Sequence, residues 1–140
     1  MDAASINNEK PPYGVGDASF RAAGGERGIR RLVDDFYDQM DSLSEASTIR
    51  AMHPADLEVS RDKLARFLCG WLGGPKLFQQ KYGPITIPRA HSHLPIGRTE
   101  RDTWLLCMSK ALEQQPYSSD FKKYLLGQLA IPAERCRTRE

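Results

Sequence analysis

Residues 26–41 read ERGIRRLVDDFYDQMD, and the spacing of their apolar side chains indicates the fold class. Apolar residues recur every three or four positions in this stretch, so they share one wide stripe of an α-helix. The stretch therefore predicts an amphipathic helix that buries this face against other elements. The stripe consists of Ile29, Leu32, Val33, Phe36, Tyr37 and Met40.

The next periodic segment, residues 58–72, predicts a second long helix. Leu64, Phe67, Leu68 and Trp71 follow the i, i+3, i+4, i+7 spacing of one helix face. The Gly-Gly-Pro sequence that follows ends this helix, because glycine favours a helix terminus and proline cannot continue the helix.

Two later segments complete the helical pattern. Residues 97–115 predict one helix, and Ser118 or Ser119 can cap another, which is expected to end before Pro132. The chain shows no strand alternation and no internal repeat, so it is predicted to be all-α with about five helices. Shorter helical turns are expected at residues 17–23, 44–52 and 76–82.

Residues 83–95 interrupt the helical pattern. Three prolines and a glycine fall within these thirteen residues, so no long helix fits there. The same segment holds His91 and His93, two of the three histidines of the chain. A loop that carries such side chains inside a helical protein is a candidate functional site.

Composition narrows the class of protein. The chain has 140 residues, 40% hydrophobic and 27% charged, with a formal net charge of +2, which is typical of one soluble globular domain. Basic and acidic residues are interleaved, so no nucleic-acid partner is expected. No apolar run approaches the roughly 18 residues of a membrane helix, and no secretory signal is apparent, so no membrane partner is expected.

The cysteines point to a reducing compartment. Cys69, Cys107 and Cys136 are odd in number and widely spaced, which fits neither a disulfide framework nor a zinc site. Cys69 and Cys107 lie in apolar helical stretches, where they are expected to act as small core residues. A cytoplasmic location is therefore predicted.

Several pieces of the chain, in order, resemble the group II truncated haemoglobins over residues 17–131. Three features carry most of the resemblance: a Phe-Tyr pair, a Trp followed by Gly-Gly-Pro, and a histidine thirteen residues before the Trp of an Arg-Asp-x-Trp motif. The matching residues are Phe36-Tyr37, Phe67-Leu68, Trp71-Leu72-Gly73-Gly74-Pro75, His91 and Arg101-Asp102-Thr103-Trp104-Leu105-Leu106-Cys107-Met108.

The resemblance implies a truncated globin, in which a two-over-two helical sandwich surrounds haem b (iron protoporphyrin IX). Residues 17–131 would form this domain, with residues 1–16 as a flexible N-terminal extension and residues 132–140 as a C-terminal tail. His91 is the implied proximal iron ligand. His93 is the rival ligand, because one short helix cannot bring both histidines to the iron. With His91 as the ligand, His93 is expected in solvent or near a haem propionate.

The resemblance also implies a polar distal pocket. Tyr37 and Trp104 would donate hydrogen bonds to a bound gas, and His53, which precedes a proline, would be a third distal group. Ser60 and Leu64 lie four residues apart and so share the helix face toward this pocket. Leu94 stands where family members often carry phenylalanine. Further haem contacts are implied for Phe67, Leu68, Phe78, Tyr82, Ile96 and Met108, and propionate contacts for Lys76, Arg89 and Tyr82.

Three functions remain open at this point. The first is reversible binding of O2, CO or NO, with slow oxygen release that suits scavenging or redox chemistry better than bulk transport. The second is a haem enzyme with peroxidase or NO-dioxygenase activity, which requires an external reductase because the chain carries no flavin or nicotinamide motif. The third is a helical interaction module without a cofactor, in which Tyr37, Trp104 and His91 are only structural.

Overall fold

The computed structural model describes residues 12–139, and within that range every regular element is helical. None of the helices described there is long and apolar enough to cross a membrane. The elements are α1 (Ala18–Ala22), α2 (Gly25–Ser42), a 3-10 turn (Ser44–Ala46), α3 (Ser47–Ala51), α4 (Glu58–Trp71), α5 (Leu77–Tyr82), α6 (Ile87–His91), α7 (Arg98–Glu113) and α8 (Ser119–Arg135).

Helix α2 is the centre of the molecule, as its apolar stripe predicts. It packs against both α4 and α7, and α7 packs in turn against α8. The side chains of Ile29, Leu32 and Phe36 are fully buried. Burying a side chain of this size contributes about 1.5–3 kcal/mol. The four long helices thus form two packed pairs, α2 with α4 and α7 with α8, which is the predicted two-over-two arrangement.

A close backbone approach determines how α2 begins. Gly24 precedes the helix with a φ of +88°, in the left-handed region that glycine adopts without strain. Inside the first turns, a Cβ atom on Gly28 would lie 2.0 Å from the carbonyl oxygen of Ala23. Tyr117 donates a hydrogen bond to that same oxygen at 2.8 Å, so this corner ties α1 to the segment before α8.

The region of residues 83–95 contains only the short helix α6, in agreement with its proline content. Pro88 lies in the first turn of α6, where a missing backbone N–H costs little. His91 is the last residue of this helix, and His93 lies beyond it and is exposed.

The C-terminal end differs from the prediction that the last helix ends before Pro132. Helix α8 includes Pro132 and continues to Arg135. The proline removes one intrahelical hydrogen bond, but the next turn closes with Cys136 N–H donating to the Pro132 oxygen at 3.1 Å. Ala133 in that turn is buried, so packing keeps the helix intact beyond the proline.

The N-terminal segment falls partly outside the described residues, which begin at residue 12. Within the described part, the ring of Tyr13 lies 5.1 Å from that of Phe121 and 4.8 Å from that of Tyr124. Tyr13 therefore contacts α8, while most of the predicted flexible extension, residues 1–16, lies outside the described residues.

Candidate functional site

A cavity of about 370 Å3 lies between the helix pairs. Its volume falls within the roughly 300–1,000 Å3 of ligand and cofactor sites. Helices α2, α4, α5, α6, α7 and α8 all contribute to its wall, which is mostly apolar. Ten of the side chains predicted for the haem site line it: Tyr37, His53, Ser60, Leu64, Phe67, Leu68, Phe78, His91, Ile96 and Trp104.

His91 enters the cavity from α6 with one ring nitrogen occupied. Its Nδ1 lies 2.8 Å from the carbonyl oxygen of Ile87, one turn earlier in the same helix. A neutral imidazole that donates from Nδ1 keeps the lone pair of Nε2 available for a metal. Because His93 is exposed and is not part of the cavity wall, the geometry favours His91 as the iron ligand.

The ring of His53 also lines the cavity and, like that of His91, is held through Nδ1 by a backbone carbonyl one turn earlier. Its Nδ1 lies 2.8 Å from the carbonyl oxygen of Ile49, at the end of α3. Arg50 holds the following turn by donating to the carbonyl oxygens of Pro54 and Ala55, each at 2.9 Å. Burial lowers the pKa of His53 and outweighs the opposing hydrogen bond to Ile49, so the ring is neutral near pH 7.

Tyr37 and Trp104 bring two hydrogen-bond donors to the cavity wall. Tyr37 on α2 packs its ring edge-on against His53, with ring centres 5.7 Å apart. Trp104 on α7 packs against Phe36, with ring centres 4.9 Å apart. Among residues 12–139, no hydrogen-bond partner is found for the Tyr37 hydroxyl or for the Trp104 indole N–H.

The ionisation of Tyr37 keeps its hydroxyl in the donating form. Burial raises the pKa of Tyr37, and the nearby Arg61 guanidinium, 5.7 Å from the ring centre, offsets only part of this effect. The phenol is therefore protonated throughout the physiological pH range.

Four predicted haem contacts lie outside the cavity wall. Met108 is fully buried in the helical core, while Lys76 and Arg89 are exposed. Tyr82 donates its hydroxyl proton to Asp62 at 2.6 Å instead of facing the cavity. The contacts assigned to these four residues therefore remain predictions from the resemblance alone.

Asp62 organises a polar cluster beside the cavity. It accepts hydrogen bonds from Arg30 at 3.1 Å, Arg66 at 2.9 Å, Lys81 at 2.9 Å and Tyr82. Burial by itself would raise the pKa of Asp62, but these four donors outweigh it and hold the pKa well below its usual range. The cluster joins α5 to α2 and α4, and α5 carries the cavity residue Phe78.

Sequence reasoning missed a second set of wall residues. Most of them are apolar and come from short elements or from α8, where weak periodicity gave no signal. Lys63, Glu100 and Arg101 are the charged exceptions, and the Nζ of Lys63, on the polar face of α4, lies 5.3 Å from the ring centre of Tyr82. The missed residues are Ile49, Met52, Lys63, Ile85, Ile87, Ala90, Glu100, Arg101, Leu129, Pro132, Ala133 and Cys136.

These features fit a flat apolar prosthetic group whose metal takes an imidazole ligand. The wall is apolar, and a histidine oriented through Nδ1 is the usual form of a metal ligand. The three cysteines do not compete as ligands, because burial raises the pKa of each thiol to about 11. An all-helical fold around an apolar cavity with a histidine on its wall is typical of the haem-binding class of proteins.

Known proteins place the chain within that class. The model of the family described as Bacterial-like globin matches residues 18–134. The chain is 30% identical over 109 residues to Group 2 truncated hemoglobin YjbI of Bacillus subtilis (strain 168), covering 78% of this chain and 80% of that relative.

Solved structures agree with this match. The Group II 2-on-2 hemoglobin from the plant pathogen Agrobacterium tumefaciens has a TM-score of 0.83 at 33% identity, covering 95% of this chain and 99% of that one. The cold-adapted truncated hemoglobin of Pseudoalteromonas haloplanktis TAC125 also has a TM-score of 0.83, at 30% identity, covering 87% and 98%.

The chain therefore belongs to the bacterial-like globins and is a group II truncated haemoglobin. This membership implies a haem cofactor and small gaseous ligands such as O2. The predicted fold class, an all-α two-over-two globin, is confirmed. The hypothesis of a helical module without a cofactor has no support from the family.

Proposed function

We propose that the protein binds haem b through His91 and holds a diatomic gas beside Tyr37, Trp104 and His53. The observation that carries the proposal is a single apolar cavity with both a histidine whose Nε2 is free and two donors without partners among residues 12–139. When bound, haem supplies a ferrous iron with an open coordination position for O2, CO or NO.

The cavity donors explain the kind of gas binding we propose. A dioxygen ligand carries partial negative charge, so donors in a water-poor cavity stabilise it. Two hydrogen bonds of roughly 0.5–1.5 kcal/mol each, from Tyr37 and Trp104, would slow dissociation by about one to two decades. Slow release suits gas scavenging or redox chemistry better than bulk oxygen transport.

Lys63 is the cation we assign to a haem propionate. It lines the cavity, whereas Lys76 and Arg89 do not, and the other cation of the wall, Arg101, pairs with Asp102 and Glu134. A flexible ammonium at the rim can pair with a carboxylate while its alkyl stem covers apolar surface. We expect Lys63→Met to release haem faster than wild type.

The test of the proximal ligand compares two neighbouring histidines. His91→Gly, His93→Gly and wild type are purified with haem, and their ferric and ferrous visible spectra are recorded with and without CO. Wild type and His93→Gly should show the same Soret band. His91→Gly should lose the band or regain it only with added imidazole, and a normal spectrum for this variant would refute the proposal.

A second candidate function is turnover of peroxide or nitric oxide. It is favoured by His53, a neutral imidazole with a free nitrogen on the cavity wall, since a positioned base assists proton transfer. An external reductase would be needed for sustained turnover. Peroxidase activity well above that of free haem, and reduced at least tenfold by His53→Leu, would support this function.

We also propose a cytoplasmic location. All three cysteines are free thiols, and Cys69 and Cys107 are buried among core side chains. Such thiols persist best in a reducing compartment. Fractionation of the source cells with an antibody to this protein tests the location.

A further inference from the structure

The four C-terminal residues of the described chain lie against the segment that follows His91. Thr138 Oγ1 donates to the carbonyl oxygen of Leu94 and accepts a hydrogen bond from the Ile96 N–H at 2.8 Å. The N–H groups of Thr138 and Arg139 both donate to the Ile96 oxygen, at 2.8 and 3.1 Å. Four hydrogen bonds thus join residues 136–139, here called the C-terminal clamp, to residues 94–96.

The clamped segment belongs to the cavity. Leu94 and Ile96 both line it, and Leu94 N–H donates to the carbonyl oxygen of His91 at 3.0 Å. Leu94 therefore connects Thr138 to the end of α6, since its oxygen accepts from Thr138 and its N–H donates to His91. A change in the position of Leu94 would alter both the cavity wall and the last turn of α6.

The clamp itself is fixed to the rest of the molecule. It follows directly from α8, and both Ala133 in the last turn of α8 and Cys136 at the start of the clamp line the cavity. Glu134 in that turn accepts from Arg101 of α7 at 2.5 Å and from Arg137 at 2.9 Å. A segment held at both ends in this way can restrain its neighbour, whereas a frayed tail could not.

From these contacts we propose that Thr138 is a positioning residue for the proximal side of the haem site. The proposal rests on the proposed function, since it assigns Thr138 a role toward His91 as iron ligand. Its hydroxyl fixes the backbone of Leu94 and Ile96, and the hydrogen bond from the Leu94 N–H to the His91 oxygen extends this restraint to the end of α6. Loss of the clamp should loosen the proximal wall and speed the escape of haem.

The experiment uses three changes in the clamp and one control elsewhere. Thr138→Val removes the hydroxyl at nearly constant shape, Thr138→Ser retains it, and a chain that ends at Arg137 removes all four hydrogen bonds. Tyr117→Phe removes a hydrogen bond of 2.8 Å from a residue that is not part of the cavity wall. It serves as the control for a general loss of stability.

Two readouts separate the clamp from the proposed function. The first is hydrogen exchange at the Ile96 amide in protein without haem. It should be faster in Thr138→Val by about 2- to 10-fold, and unchanged in Thr138→Ser and Tyr117→Phe. Equal exchange in wild type and the shortened chain would refute the clamp, whether or not the protein binds haem.

The second readout is haem transfer to an excess of an acceptor apoprotein, together with the iron–histidine stretching band of the ferrous protein. Thr138→Val should lose haem about 2- to 10-fold faster and shift the band, with a larger effect in the shortened chain. If hydrogen exchange at the Ile96 amide changes while the rate of haem loss and the iron–histidine band do not, the positioning role is refuted. A wild type that takes up no haem would refute the proposed function and this role together.

Discussion

The hydroxyl of Tyr37 has no hydrogen-bond partner within residues 12–139, and the residue stands on the cavity wall. Tyr37 is 5% exposed, and its pKa is raised by burial, so it offers one proton and no charge to the cavity. The hydroxyl is therefore available to donate to a gas ligand. The half-buried Trp104 indole on the same wall can also act only as a donor.

Tyr37→Phe tests this interpretation with the loss of one oxygen atom. The ring still packs on Phe36 and His53, so the fold should be retained. We expect dioxygen to dissociate about 2- to 10-fold faster in stopped-flow measurements, because one hydrogen bond is lost. An unchanged rate, with Tyr117→Phe as the matched control, would show that Tyr37 serves only in packing.

At the same scale, the residues that could be predicted are those with a distinctive chemical type. Tyr37, His91 and Trp104 carry groups that few positions require, so the resemblance to the group II truncated haemoglobins singles them out, and all three line the cavity. Met108 and Tyr82 are predicted haem contacts that do not line the cavity, and an apolar or aromatic side chain on a helix fits the core and the cavity equally well. Periodicity cannot distinguish these two destinations.

Among the elements, α5 depends on the Asp62 cluster more than on its own sequence. The helix has six residues and none of them is buried, so its intrinsic stability is low. Hydrogen bonds from Lys81 and Tyr82 to Asp62 hold it against α4. The cluster therefore positions Phe78 on the cavity wall from outside the cavity.

Asp62→Asn should weaken this attachment in a pH-dependent way. The folded-state pKa of Asp62 is depressed, so its contribution is present above the unfolded pKa of about 3.9 and is lost as the pH falls below it. Urea unfolding at pH 7 should show a loss of about 1–3 kcal/mol relative to wild type. The difference should shrink below pH ~4, and a difference that grows there would contradict the assignment.

Helix α2 offers a sharper test of backbone packing through its glycines. A Cβ on Gly28 would lie 2.0 Å from the Ala23 oxygen, which is backbone and cannot move freely. We expect Gly28→Ala to lower the free energy of unfolding by about 1–3 kcal/mol, despite the better helix propensity of alanine. Urea unfolding measures the change.

Gly127 in α8 is the matched control for that substitution. A Cβ on Gly127 would meet no atom within 4 Å, so Gly127→Ala should stabilise the protein by roughly 0.5–1 kcal/mol. Equal effects of the two substitutions would mean that the contact at Gly28 does not determine how α2 begins.

The first and last residues of a helix could be predicted only where the local sequence rules for helix ends agree with the tertiary packing. Helices α2 and α4 were predicted within a few residues, since their apolar stripes, glycines and proline all give the same boundaries. Helix α8 was predicted too short, because the rule that proline ends a helix is local. The burial of Ala133 and the contacts beyond it are tertiary, and these keep the helix intact through Pro132.

For the whole molecule, the cavity connects stability to haem. Without haem, an apolar space of about 370 Å3 leaves its wall without packing partners or exposes it to water. The globin domain should therefore be markedly less stable as the apoprotein. The two short helices of the wall, α5 and α6, should loosen first, because they have few buried side chains.

Thermal unfolding of the apoprotein and of the haem-loaded protein tests this connection. Haem at a thousandfold excess over its Kd stabilises the folded state by about 4 kcal/mol, which for a domain of this size raises Tm by roughly 10–20 °C. His91→Gly should lose most of the rise, because it removes the iron ligand, and should change the apoprotein Tm far less, because in the apoprotein it removes one hydrogen bond, to Ile87. Tyr117→Phe should lower both Tm values together, since its hydrogen bond lies outside the cavity wall. A haem-induced rise that survives in His91→Gly would mean that the apolar wall, and not the iron–histidine bond, supplies the affinity.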